Sequence, residues 1–111
     1  EGKPPIIYGD GEQTRDFLYV KDTVRATIDI YERDIRGKVL NIGSGKETSI
    51  NEVVHLICKI MNCKKAPVYE DPRPGDLRRM VADITQIKKL IDFEPRTSLE
   101  EGLKNTIESY R

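Results

Sequence analysis

The residues best suited to chemistry lie in one short segment, Asp71-Pro72-Arg73-Pro74-Gly75-Asp76. Its two prolines fix their φ angles at about −65° and push the preceding residues out of helical space, while Gly75 permits a sharp turn. The guanidinium of Arg73 and the carboxylate of Asp76 are therefore expected on a stiff loop. A guanidinium fits phosphate oxygens in pairs, and a carboxylate accepts hydrogen bonds from sugar hydroxyls. These residue types suggest a site for a diphosphate next to a ribose.

A surface turn is the simpler interpretation of the same segment. In that case Arg73 pairs with Asp71 or Asp76, and an exposed ion pair of this kind contributes about 0–1 kcal/mol. Taken alone, the segment favours the surface turn. A binding site becomes the better interpretation only if residues elsewhere in the chain support it.

No catalytic residue is predicted from motifs or spacing. The chain has one histidine, and it contains neither a serine–base pairing nor a zinc-binding H-E-x-x-H pattern. The segments 9–11 and 43–45 are both G-x-G, but neither continues to the third glycine of a dinucleotide-binding loop, so both are interpreted as plain turns. Cys58 and Cys63 lack metal-ligand spacing and are predicted to be reduced thiols. The residues alone thus predict anion-binding arginines, with no metal ligands and no cofactor-binding residues.

Length and charge restrict the class of protein. A chain of 111 residues fits one domain, which we assign to residues 1–111. Lysine plus arginine and aspartate plus glutamate are balanced at 19 each, so no overall field favours nucleic acid or an anionic membrane. No apolar run approaches the roughly 18 residues of a membrane-spanning helix. We therefore expect a cytoplasmic protein that binds neither nucleic acid nor a membrane.

Hydrophobic periodicity divides the chain into strands and helices. Segments rich in β-forming residues are strand candidates, at 6–8, 14–20, 39–42 and 67–70. Spacings of three to four residues predict helices, at 21–33, 50–61, 84–91 and 99–110. The first helix is recognised by an apolar stripe, Val20, Val24, Ile28 and Tyr31. Ser49 with Glu52, and Ser98 with Glu101, form the S-x-x-E pattern that begins a helix. We predict a small α/β domain with about three short strands and four helices, and a parallel or mixed sheet.

Four segments in register resemble one family. They are residues 6–22 (IIYGDGEQTRDFLYVKD), 41–45 (NIGSG), 72–76 (PRPGD) and 99–103 (LEEGL). The family is the extended short-chain dehydrogenase/reductase family of NAD-dependent nucleotide-sugar epimerases and dehydratases. The first and third segments are most similar to UDP-glucose 4-epimerase-like members. NDP-sugar 4,6-dehydratases and UDP-glucuronate decarboxylases share much of the pattern.

The resemblance covers only the C-terminal, substrate-binding part of the family, which normally packs on a Rossmann domain absent here. The family's dinucleotide fingerprint and its catalytic Tyr-x-x-x-Lys are not in this chain. The resemblance therefore implies an inactive fragment of an NAD-dependent epimerase, in which the missing domain binds NAD and moves the hydride at C4 of the sugar. The parent is expected to be a homodimer. A non-catalytic nucleotide-sugar-binding module is the alternative from another functional class.

The resemblance also implies roles for five residues of this chain. Arg15 and Arg73 match the two arginines that hold the diphosphate, and Asp76 matches the carboxylate beside the nucleotide ribose. Tyr8 matches the strand segment that edges the base, and Ile50 matches an apolar contact on the base. The implied ligand is a nucleotide diphosphate sugar, with a UDP-sugar favoured and a dTDP-sugar possible. Ile50 is equally well described as the first core residue of its helix.

Overall fold

The computed structural model describes residues 3–110. This part of the chain contains four helices and four short strands. In chain order they are β1 (Ile6–Tyr8), β2 (Thr14–Arg15), α1 (Val20–Glu32), β3 (Thr48–Ser49), α2 (Ile50–Met61), β4 (Val68–Glu70), α3 (Thr85–Ile91) and α4 (Leu99–Ser109). The predicted mixed α/β class with four helices is confirmed. None of these helices combines the length and the apolar character that crossing a bilayer requires.

The strands form two separate pairs. β1 pairs with β4 in parallel, with Ile6 opposite Val68, and β2 pairs with β3 antiparallel, with Arg15 opposite Thr48. The amide of Gly9 donates to the carbonyl of Glu70 at 2.8 Å, which continues the first pair by one hydrogen bond. Because β4 ends at Glu70, the 71–76 loop begins beside the end of β1.

Two strand predictions were wrong. The strand expected over 14–20 stops at Arg15, and α1 already begins at Val20. The segment 39–42 forms no strand within residues 3–110, and Val39 is 93% exposed there. β-Propensity measures how well a residue fits a paired, half-buried surface, so these apolar residues form a strand only where a partner strand is present. The two-residue strand β3 was not predicted.

The helix boundaries follow the capping signals in the sequence. Ser49 Oγ accepts a hydrogen bond from the Glu52 amide at 3.1 Å, and Ser98 Oγ accepts one from the Glu101 amide at 3.2 Å. Both S-x-x-E patterns therefore begin helices as predicted. α2 ends at Met61, and Asn62 caps it with a φ of 55° in the left-handed region.

The core lies between α1 and α3. Its fully buried members are Ala26, Ile87, Ile91 and Phe93. Six partly buried apolar side chains pack around them, from Leu18, Ile30, Ile35, Ile42, Ile84 and Leu90. Arg25 lies over the Phe93 ring with its Cζ 5.5 Å from the centroid, so a cation–π contact covers one side of this core.

The apolar stripe that predicted α1 does not face the core. Val20, Val24, Ile28 and Tyr31 are all at least half exposed, and Ala26 is the buried apolar residue of this helix. We call these four residues the α1 stripe.

A buried carboxylate connects α1 to the segment before α4. Asp22 is almost fully buried and accepts hydrogen bonds from the amides of Arg96 at 3.3 Å and Thr97 at 3.2 Å. The Arg25 guanidinium donates to the same carboxylate at 3.2 Å and to the carbonyl of Glu94 at 2.7 Å. These bonds hold the start of α4 against the start of α1.

Replacing this carboxylate should destabilise the fold. Asp22→Ala leaves two amides without their acceptor, and we expect the free energy of unfolding to fall by about 1–3 kcal/mol in a urea titration. The matched control is Glu32→Ala, because Glu32 is exposed at the other end of the same helix and should change stability by less than about 0.5 kcal/mol. Equal effects of the two variants would contradict the role assigned to Asp22.

Candidate functional site

The five residues singled out in the sequence line one cleft. Tyr8, Arg15, Ile50, Arg73 and Asp76 surround a cavity of about 240 Å³, together with Ile6, Ile7 and Gln13. We call it the Ile50 cleft. A larger depression of about 750 Å³, the Tyr69 cleft, shares the walls formed by Tyr8, Gln13, Arg73 and Asp76. The structure thus brings together residues from β1, β2, the start of α2 and the 71–76 loop.

Arg15 and Asp76 form an ion pair across the cleft. Arg15 Nη2 donates to Asp76 Oδ1, and Arg15 Nη1 donates to the carbonyl of Leu77 at 2.7 Å. Each side chain of the pair is about three quarters buried, at 23% and 25% exposure. A carboxylate of the chain therefore neutralises one of the two arginines expected to bind phosphate.

Arg73 stacks on an aromatic ring. Its Cζ lies 4.5 Å from the centroid of the Tyr8 ring, within cation–π range, and the side chain is otherwise exposed. The amide of Asp76 donates to the carbonyl of Arg73 at 3.2 Å, and Gly75 has φ +76°, so the loop closes as the tight turn predicted. The alternative in which Arg73 pairs with Asp71 or Asp76 is not what the described residues show, because Arg73 stacks on Tyr8 and Asp76 pairs with Arg15.

Gln13 is a site residue that the sequence reasoning missed. It is only 8% exposed, and its Nε2 donates to the carbonyl of Tyr8 at 2.9 Å and to Asp76 Oδ2 at 3.4 Å. One buried amide thus connects the strand that carries Tyr8 with the loop that carries Asp76. No local signal distinguishes this glutamine from a solvent-exposed one, since its burial depends on a loop 63 residues further along the chain.

The first turn of α2 is docked closely on the turn after β1. The Asn51 amide donates to the carbonyl of Gly11 at 2.9 Å, and Asn51 Nδ2 donates to the carbonyl of Asp10 at 3.1 Å. A Cβ on Gly11 would lie 2.0 Å from Asn51 Oδ1, and its φ is +76°. Only glycine fits both the angle and the approach. This contact sets the position of Ile50 in the cleft.

The two arginines that follow the loop are already paired with carboxylates of the chain, so they are not free to bind an anion. Arg78 holds Asp10 through two hydrogen bonds of 2.8 and 3.0 Å, and Arg79 holds Glu47 through two of 2.8 and 2.6 Å. The Arg78 hydrogen bond lowers the pKa of Asp10 to about 2, and the Arg79 hydrogen bond likewise lowers the pKa of Glu47 to about 2. Both pairs tie the segment after the loop to neighbouring turns.

The turn at 43–45 binds a carboxylate of the chain itself. Asp16 accepts hydrogen bonds from the amides of Ser44, Gly45 and Ala82, at 2.8, 3.0 and 3.1 Å, and from Ser44 Oγ at 2.6 Å. Burial raises the pKa of Asp16, but these hydrogen bonds outweigh it and the net pKa is lowered. Since these amides already have an acceptor, this turn does not fit the phosphates of a dinucleotide.

Comparison with known proteins decides the family. Residues 1–106 match the GDP-mannose 4,6 dehydratase family. The chain belongs to the NAD-dependent nucleotide-sugar epimerase and dehydratase family. The resemblance drawn from the four sequence segments is therefore confirmed.

Relatives within this family carry several activities. The crystal structure of Thermotoga maritima UDP-glucose 4-epimerase with UDP-glucose is 44% identical, has a TM-score of 0.91, and matches over 99% of this chain and 35% of its own. Bacillus cereus UDP-glucuronic acid 4-epimerase, in complex with UDP-glucuronic acid and NAD, is 33% identical with a TM-score of 0.86, over 99% and 37%. Salmonella typhimurium dTDP-glucose 4,6-dehydratase is 36% identical, over 99% and 33%. The chain thus spans about a third of the length of the relatives it matches.

The ion pairs of Arg78 with Asp10 and of Arg79 with Glu47 predict how these two carboxylates titrate in acid. Because the folded pKa of Asp10 is depressed from its ordinary 3.8 to about 2, the Arg78 pair supports the fold fully above pH 3.8 and is lost as the pH falls through 2. Arg78→Gln should return the Asp10 pKa toward 3.8, as measured by NMR titration of the side-chain carboxyl carbons. Arg79→Gln is the matched control, since it should raise the pKa of Glu47 and leave that of Asp10 unchanged. An Asp10 pKa that stays near 2 in Arg78→Gln would contradict this assignment.

Proposed function

We propose that this chain is the nucleotide-sugar-binding part of an NAD-dependent sugar-nucleotide epimerase, with UDP-glucose 4-epimerase as the leading candidate. The observation that carries the proposal is the convergence of Tyr8, Arg15, Ile50, Arg73 and Asp76 on one cleft. These residues come from four separate segments, so their meeting is not a consequence of sequence proximity. The related Thermotoga maritima enzyme with UDP-glucose supports the same class of ligand.

The two arginines supply the charge for a diphosphate. Arg73 needs only to leave the Tyr8 ring, a contact of about 0.5–1 kcal/mol at an exposed position. Arg15 must exchange Asp76 for a phosphate oxygen. This exchange keeps the guanidinium paired throughout, and it frees the Asp76 carboxylate to accept hydrogen bonds from a ribose. The Arg15–Asp76 ion pair brings both groups into the cleft, which supports the roles proposed for them toward a diphosphate and a ribose.

The apolar part of the cleft lining suits a flat pyrimidine. Ile50 contributes an aliphatic side chain to the lining, and β1 contributes Ile6, Ile7 and Tyr8. An apolar lining with a few polar groups is typical of small-molecule sites. UDP-sugars remain the favoured ligands and dTDP-sugars the second choice, because relatives of both kinds are similar to this chain.

Catalysis in the parent enzyme is proposed to need the part of the relatives that this chain does not span. NAD supplies the hydride acceptor in such enzymes. In this chain the turn at 43–45 does not fit a dinucleotide, because Asp16 occupies its amides. We assign to this chain only the task of holding the nucleotide so that the sugar is presented in a fixed orientation.

The α1 stripe is the surface that we expect the remainder of the parent enzyme to cover. Its four apolar side chains are exposed on one helix, and Val39 of the unpaired segment 39–42 is exposed as well. Covering them would remove apolar area from water, at about 25 cal/mol per Å². A homodimeric parent remains part of this proposal.

Two other functions remain as alternatives. An NDP-sugar 4,6-dehydratase, or a decarboxylase of the same family, is favoured by the similarity to the Salmonella typhimurium dehydratase, which is as close as several epimerases. A non-catalytic nucleotide-sugar-binding module is the alternative of another class. It is favoured by the fact that all five site residues already converge in this chain alone.

Ligand binding by this chain tests the site directly. In a titration with UDP up to millimolar concentration, we expect backbone amide shifts in NMR to cluster at Tyr8, Arg15, Ile50 and 73–76. Arg73→Ala should weaken UDP binding on the order of 10-fold, because it removes a charge-assisted hydrogen bond to the diphosphate. Arg36→Ala is the matched control, since Arg36 is exposed and pairs only with its neighbour Asp34 among the contacts resolved for residues 3–110.

The outcomes separate the proposals. Shifts at the cleft that are lost in Arg73→Ala and kept in Arg36→Ala support the diphosphate site, and a parallel titration with dTDP ranks the bases. Unselective shifts, or equal losses in both variants, would contradict it. The absence of any shift at millimolar UDP would exclude the stand-alone binding module.

The isolated chain should show no turnover. We expect no UDP-galactose from UDP-glucose and NAD above the enzyme-free background, as measured by chromatography of the sugar nucleotides. The physical reason is that neither a hydride-transfer site nor a general base is present among the residues assigned to the cleft. Product formation above background would overturn the assignment of this chain as a binding part.

A further inference from the structure

Two cysteines meet where α2 ends. Asn62 adopts the left-handed conformation, the Cys63 amide donates to the carbonyl of Cys58 at 2.8 Å, and the Asn62 amide donates to the carbonyl of Lys59 at 3.4 Å. These two bonds define a Schellman motif. In this motif the second residue after the helix commonly packs against the residue five positions earlier in the chain. Those two positions are Cys63 and Cys58.

The thiols are placed for different roles. Burial, together with the neighbouring Cys63 side chain, raises the pKa of the Cys58 thiol. Cys63 is exposed, whereas Cys58 is half-buried, and both border a cavity of about 430 Å³. Cys63 is therefore the sulfur that a solute meets first.

We propose that Cys58 and Cys63 form a redox-active dithiol that a peroxide converts into an intramolecular disulfide. The backbone hydrogen bond between the two residues keeps their Cα atoms close, and disulfides form at Cα separations of about 4.4–6.8 Å. The helix end need not unfold to bring the sulfurs together. Both thiols are free in the structure, as predicted from the sequence, and this is the reduced state of the site.

The reaction balances with hydrogen peroxide as the oxidant. The Cys63 thiolate attacks one peroxide oxygen, the O–O bond breaks, and a sulfenic acid and one water result after proton transfer. The Cys58 sulfur then attacks the Cys63 sulfur, the S–O bond breaks, and a second water leaves with the Cys58 proton. In total the two thiols lose two electrons and two protons, and the peroxide becomes two molecules of water.

The disulfide would act on the connection between α2 and β4. Ile50 at the start of α2 lines the Ile50 cleft, and β4 leads into the 71–76 loop. Cys63 lies between the two elements, and its sulfur is 3.7 Å from the carbonyl of Lys65. Oxidation would thus restrain the segment that joins two walls of the cleft.

The test measures covalent state and is independent of ligand binding. The chain contains only these two cysteines, so thiol counting is unambiguous. At low protein concentration, treatment with hydrogen peroxide should give a monomer whose intact mass has lost two hydrogen atoms and which no longer reacts with a maleimide. Dithiothreitol should restore both thiols.

Single variants provide the control. Cys58→Ser should stop at the sulfenic acid of Cys63, which dimedone traps, whereas Cys63→Ser should react many-fold more slowly because its remaining thiol is half-buried. Asn62→Gly keeps the left-handed helix end and should oxidise as the original chain does. The proposal is overturned if the unaltered chain forms only intermolecular dimers or sulfinic acid, or if both thiols remain alkylatable after peroxide treatment.

Discussion

The close approach of Asn51 to Gly11 is the contact on which the rest of the site depends. Asn51 accepts a hydrogen bond from the Tyr69 hydroxyl at 2.8 Å and donates to the turn that follows β1, so it joins α2, β1 and β4 at one point. The missing Cβ of Gly11 is what permits this distance. If these three elements separated, Ile50 would leave the cleft and the 71–76 loop would lose its position beside Tyr8.

Contacts of charged side chains also fix the region around the cleft, although the chain has no net charge. Four of the arginines near the cleft contact specific partners: Arg15 pairs with Asp76, Arg73 stacks on Tyr8, Arg78 pairs with Asp10 and Arg79 pairs with Glu47. Both side chains of the first pair are about three quarters buried, whereas Asp10, Arg78 and Arg79 are mostly exposed, so solvent screens the last two pairs more strongly. The first pair lines the proposed ligand site, and the other two pairs hold the surrounding turns. Electrostatics in this chain therefore positions groups rather than creating a long-range field.

The two faces of α1 are unevenly buried. Its interior face contributes Ala26 and the half-buried Ile30 to the core, while the residues of the α1 stripe remain exposed, as does Val39. A small core of this kind supplies limited stability, and the buried hydrogen bonds of Asp22 and Asp16 compensate by tying distant segments together.

The sequence by itself determined the local elements and the family. Ser49 and Ser98 began their helices because a capping hydroxyl acts within three residues, and the prolines around Arg73 shaped the loop through their own torsion angles. Four short segments sufficed for the family, and the resemblance assigned five site residues that the structure places in one cleft. Tertiary structure decided everything that needs a distant partner. It buried Gln13 between Tyr8 and Asp76, paired Arg15 with Asp76, turned the α1 stripe away from the core and left 39–42 without a strand. These outcomes depend on contacts between residues far apart in the chain, and such contacts leave no local periodicity to read.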